Sequence, residues 1–85
     1  MKVSYVIFDV LLSLVARGYY YEEDISDYEL VWDTSIDNSM TFDTAYAAGQ
    51  FLSTYFPDFS RERYAIKRLV EYQDPCVKVI IGGNL

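Results

Sequence analysis

The chain has 85 residues, 52% hydrophobic and 18% aromatic, with 7 Lys and Arg against 13 Asp and Glu, no histidine, and a formal net charge of −6. That length fits one domain, residues 1–85, and the apolar content is too high for a disordered protein. The missing histidine removes the commonest general base and metal ligand, and the single cysteine, Cys76, excludes an intramolecular disulfide scaffold.

Residues 3–17 fit two patterns. Val3, Val6, Ile7, Val10, Leu11, Leu14 and Val15 follow a helical period, with Lys2, Asp9, Ser13 and Arg17 on the polar stripe and Gly18 as the stop. The competing reading is a hairpin of VSYVIFDV, a turn near Leu12 and Ser13, and LVARGYYY. β-Branched and aromatic residues fill both arms, so the hairpin is preferred. The run is too short to span a bilayer and is broken by Asp9. A secretory signal would also want a more basic start. The expectation is a soluble protein of the cytoplasm.

EEDISD, 22–27, reads as a turn, and ELVWD, 29–33, as a strand. TSIDNS, 34–39, is a loop, and Met40 to Phe42 can pair as a short strand. Asp43 is then placed to cap a helix to about Phe56, with Ala47, Ala48, Phe51, Leu52, Tyr55 and Phe56 as its apolar face and Trp32 packed beneath it. Gly49 weakens that helix unless a close contact requires it, and Pro57 ends it. RERYAIKRLVEYQ fits a helix or a strand, and the strand is preferred. QDP is a turn, Cys76 to Ile81 the clearest strand of all, and GGNL a frayed tail. The fold class expected is α+β: a small antiparallel sheet with one helix across one face.

Little here carries catalysis. Gly18, Gly49, Gly82 and Gly83 match no phosphate-binding loop. Cys76 reads as a small core residue. Asp33, Asp37 and Asn38 have part of a calcium-loop spacing, but the turn glycine is absent and Thr44 stands where a bidentate glutamate belongs. No enzyme activity, metal or cofactor is therefore assigned.

The charge is laid out unevenly. Between Gly18 and Ser60 lie Glu22, Glu23, Asp24, Asp27, Glu29, Asp33, Asp37, Asp43 and Asp58 with no Lys or Arg, while Arg61, Arg63, Lys67, Arg68 and Lys78 reverse the balance downstream. Such a chain repels nucleic acid and attracts basic protein surfaces. On a strand, Tyr19 and Tyr21 face one way and Tyr20 the other, so the tyrosines cannot all be core. Tyrosine offers large area with a polar handle, which suits an interface. The candidate partner-binding set is Tyr19, Tyr20, Tyr21, Glu22, Glu23, Asp24, Asp27, Glu29, Asp33 and Asp37, with the tyrosines as anchors and the carboxylates standing in for phosphates. The blander account is half core, half solubility.

The order YVI, LVARGYYY, LVWDTSIDNSMTFDTAYAA and VKVI, with Trp32, Phe42, Asp43, Thr44, Ala47 and Ala48 at its centre, resembles small acidic domains common in phages and mobile elements. That resemblance implies the same hairpin, helix and closing strand. It also implies a function, since small acidic phage proteins with an assigned role are often inhibitors of host nucleases, including restriction and CRISPR systems. The expectation is an inhibitor that occupies a basic, nucleic-acid-handling surface of a host defence protein. The alternative is a structural or regulatory module that self-associates, for instance as a homodimer, through a sheet edge or the tyrosine face.

Overall fold

The structure is a computed structural model that describes residues 1–60, 62–73 and 75–81. Five strands, β1 (Lys2–Asp9), β2 (Leu14–Glu22), β3 (Asp27–Asp33), β4 (Tyr64–Gln73) and β5 (Cys76–Ile81), form one antiparallel sheet in the order β3-β2-β1-β4-β5. One helix, α1 (Ala45–Tyr55), packs against it, which is the α+β class expected. Both stretches open to a helical reading are strands. Their β-branched and aromatic residues sit in ladders, β1 with β4 over its whole length and β4 with β5, and that pairing outweighs the helical periodicity. The tail at 82–85 and Asp74 of the expected turn lie outside the described residues.

The sheet has a seam. β1 and β2 pair only at Phe8↔Val15 and Asp9↔Leu14, next to their connecting turn, and then diverge. Residues 40–42 fill the gap. Tyr5 and Phe42 exchange both main-chain hydrogen bonds, at 2.8 and 2.9 Å, and the Met40 N–H donates to the Ala16 carbonyl at 2.8 Å. A register shift between Ala16 and Gly18, where Arg17 is the extra residue, accompanies the divergence.

On the helix side, Ile7, Ala16 and Leu52 form a buried centre, ringed by Leu30, Trp32, Met40, Phe42, Phe51, Phe56, Phe59 and Ile66. The opposite side is also buried at Ser4, Val6, Val15 and Leu69. The 3-10 turn η1 (Ile36–Asn38) lies over that side, tied by Asp37 Oδ1 to Lys78 Nζ at 3.4 Å. Asp9, at the end of β1, is 1% exposed. Its Oδ1 accepts from the Leu11 and Leu12 amides at 3.0 and 3.1 Å, and its Oδ2 meets Arg63 Nε at 3.1 Å.

Two expectations need correction, and a third is met in part. The cap of α1 is Thr44, whose hydroxyl oxygen accepts from the Ala47 N–H at 3.0 Å, and the helix begins one residue later than Asp43 would place it. Trp32 packs on the helix side against the Ile7, Ala16 and Leu52 cluster, as expected, but it is only half-buried, and its ring stacks on Tyr64 of β4 at 5.2 Å and 15°. Cys76 is exposed, because it opens an edge strand.

Candidate functional site: the acidic hairpin and its groove

The β2–β3 hairpin carries most of the candidate residues. Its turn, Glu23 to Ser26, closes with the Ser26 N–H donating to the Glu23 carbonyl at 3.3 Å and Ser26 held at φ 52°. This register pairs Glu22 with Asp27, Tyr21 with Tyr28, Tyr20 with Glu29 and Tyr19 with Leu30. Directly paired residues share a face, so alternation sorts the hairpin into two sides.

Tyr19, Tyr21, Tyr28, Leu30 and Trp32 lie on the helix side. Tyr19 sits 4.8 Å from Phe51 and 5.3 Å from Tyr55 between ring centroids, and Tyr28 sits 4.9 Å from Tyr55. Tyr21 joins through Tyr28 at 5.2 Å. The neighbouring Tyr55 phenol, then partial desolvation, hold the Tyr19 hydroxyl above the ordinary tyrosine range. Tyr20 lies on the other side with Glu29. The split expected from sequence is therefore present, with all three tyrosines 42–51% exposed.

Glu22, Glu23, Asp24 and Asp27 cluster at the hairpin end, and Glu29 follows on β3. Among the described residues none of these five carboxylates has an ion-pair partner. Asp33 and Asp37 do not belong with them. Asp33 is at the far end of β3, where its Oδ1 accepts from the Ser35 N–H at 2.7 Å and its Oδ2 from Asn38 Nδ2 at 3.3 Å. The Ser35 bond first, then Asn38 and the nearby charge of Arg17, hold that carboxyl below the usual aspartate range. Asp37 is spent on Lys78. Of the seven candidate carboxylates, five are thus interface candidates and two, Asp33 and Asp37, are loop structure. Linear distance from the basic residues hid this, because folding brings Arg17 and Lys78 back to Asp33 and Asp37.

β3 is an edge strand, and a groove of about 390 Å³ runs beside it. One wall is Asp27, Tyr28, Glu29, Leu30 and Trp32. The other is the end of α1 and the chain beyond it, from Tyr55 to Ser60, with Tyr64 closing one end. Phe59 and Tyr64 approach to 4.8 Å there. Sequence reasoning missed Tyr28, Tyr55, Asp58, Phe59 and Tyr64 as site residues. The first was legible: a turn at 23–26 must put Tyr28 opposite Tyr21. The others depend on where Pro57 sends the chain, which no periodicity encodes.

Among the described residues no three of His, Cys, Asp and Glu converge to hold a metal ion, and no helix is long and apolar enough to cross a membrane. No protein-family model, curated protein or solved structure matches the chain.

Proposed function

We propose that this protein is a non-enzymatic acidic binding protein that occupies a basic, nucleic-acid-handling surface of a partner, with the β2–β3 hairpin as its binding element. The observation that supports this reading is the set of five carboxylates, Glu22, Glu23, Asp24, Asp27 and Glu29, unpaired among the described residues and gathered on one projecting hairpin beside exposed tyrosines. Carboxylates in that position imitate a run of phosphates. They steer a basic surface into contact, and the tyrosines supply the packed area that holds it. In the phage-like setting implied by the sequence resemblance, the partner is a nuclease of host defence, and covering its nucleic-acid surface inhibits it.

The test is capture of the partner from a bacterial host lysate, followed by kinetics on the purified pair. Reversing Asp24, Asp27 and Glu29 to Lys is expected to slow association at low salt at least tenfold and to leave the thermal melt nearly unchanged, since these side chains are exposed. Tyr20→Ala is expected to speed dissociation with little salt dependence. Unchanged association in the charge-reversed variant sinks the reading.

A second reading rests on the other edge. On the helix side of β5, Val77, Val79 and Ile81 are 41–43% exposed, and Tyr72 and Val3 extend the same apolar strip. Two β5 edges meeting about a two-fold axis would cover it. This predicts a dimer by light scattering at high concentration that Val79→Asp converts to monomer. A monomeric wild type at every concentration removes this reading and leaves the hairpin free for its partner.

A further inference from the structure

We propose that the groove beside β3 receives an extended segment of the partner as an added strand, and that the segment it fits alternates basic with apolar or aromatic side chains. The proposal rests on the acidic-binding reading above and names the shape and chemistry of what is bound.

The lining pattern comes first. Four consecutive residues, Asp27, Tyr28, Glu29 and Leu30, all border the groove. Successive strand side chains point to opposite faces, so four in a row can share a groove only if it runs along the strand's edge, where main-chain groups are presented. The Tyr28 N–H fixes which groups these are. It donates to its neighbour's Asp27 Oδ1 at 2.8 Å, so it turns away from β2. In an antiparallel pair inward and outward groups alternate, so the N–H and C=O of Leu30 and Trp32 also face the groove. Among the described residues no main-chain group outside the sheet's own ladders bonds to them. An open edge of this kind is a template for another strand.

The two walls then set the pattern of the guest. A strand laid along β3 places every second side chain on the helix side, against Tyr28, Leu30 and Trp32 and under Phe56 and Phe59. Those positions take apolar or aromatic residues, and the aromatic rings there also accept the stem of an arginine. The intervening side chains fall on the opposite face, across from Asp27 and Glu29. Opposite charges directly across a strand pair attract, so these positions take Lys or Arg. Asp58 on the far wall adds a third carboxylate, and among the described residues no Lys or Arg lines the groove. A second copy of this chain fits poorly, because pairing β3 with β3 about Leu30 would set Asp27 against Asp33, and about Tyr28 would set Asp27 against Glu29.

The experiment uses the full protein and four kinds of synthetic ten-residue peptide, read by fluorescence anisotropy at low salt, with amide hydrogen exchange on the bound state. The first peptide alternates Lys or Arg with Val or Tyr. The second has the same composition with the basic residues in one block. The third is the first with Glu in place of every basic residue. The fourth kind is a pair, the first peptide N-methylated on its odd or on its even amides. The alternating peptide is expected to bind at least tenfold tighter than the block peptide, with no binding of the Glu peptide. One N-methylated form should lose at least tenfold and the other should not, because an added strand turns only half its amides to the groove. Exchange at the Leu30 and Trp32 amides should slow at least tenfold on binding. Equal binding of alternating, block and both N-methylated peptides, all still preferred over Glu, overturns strand addition and leaves the acidic-binding reading standing. Basic peptides that bind no better than the Glu peptide overturn both. Slowed exchange at residues 76–81 instead of Leu30 and Trp32 places the guest on β5 and overturns the groove. Protection of Leu30 and Trp32 that rises with protein concentration alone names a second copy as the occupant, and also overturns the proposal.

Discussion

Asp9 shows how a residue that interrupts an apolar pattern can hold a fold together. Its carboxylate ends β1, satisfies two amides of the turn to β2 and reaches across to Arg63, just ahead of β4. The Val10 N–H reinforces the junction by donating to the Arg63 carbonyl at 2.8 Å. Removing the carboxylate strands two turn amides and one guanidinium, so Asp9→Ala is expected to cost about 3 kcal/mol, a large part of the stability of so short a chain. Asp9→Asn keeps one acceptor and should cost less; urea melts of the three proteins give the order. Ser4 is a contrasting case. Its hydroxyl is buried with no hydrogen-bond partner, a local cost that the strand bears because the neighbouring apolar positions are filled.

At the scale of elements, α1 separates what local chemistry encodes from what tertiary contact decides. Its existence, its apolar face and its end before Pro57 all follow from spacing and from proline's missing N–H. Its first residue does not. Asp43 and Thr44 are both good caps, and only the backbone path out of the seam puts the Thr44 oxygen at the Ala47 amide. Thr44→Ala is therefore expected to lower stability by about 1 kcal/mol and Asp43→Ala by much less, as paired thermal melts will show. Gly49 can be decided in the same way. A methyl group there would meet only Ile66 Cδ1, at 3.9 Å, an ordinary contact. Gly49→Ala is expected to stabilise by about 0.4–1 kcal/mol. Whereas β1, the start of β2 and β4 kept a helical alternative that only strand pairing decides, β3 and β5 were legible from alternation and β-branched content, and so was the split of the tyrosines between two faces. The seam was not, because Met40 to Phe42 reads as a short strand whichever neighbour it joins. The groove was not either, since its second wall is placed by a turn with no repeating pattern.

At the scale of the whole molecule, the charge-bearing hairpin and the β1-β4-β5 strands are two wings that share the seam and the helix. The molecule is correspondingly long, 46 × 23 × 20 Å. β2 and β3 are joined by a tight turn, whereas β1 must find β4 from the opposite end of the chain, in a register running from Lys2↔Glu71 to Asp9↔Tyr64. Contacts between such distant residues slow closure, so refolding on a scale of roughly milliseconds to seconds is expected. The stack of Trp32 on Tyr64 makes that event visible. Trp32 is the chain's single tryptophan, it rides on the hairpin expected to form first, and its partner ring belongs to the strand expected to arrive last. Its emission is a clock for the closing step. In stopped-flow refolding the hairpin's circular dichroism should rise first, and tryptophan fluorescence should change only with the slower phase. Coincident signals would mean that the two wings fold as one unit.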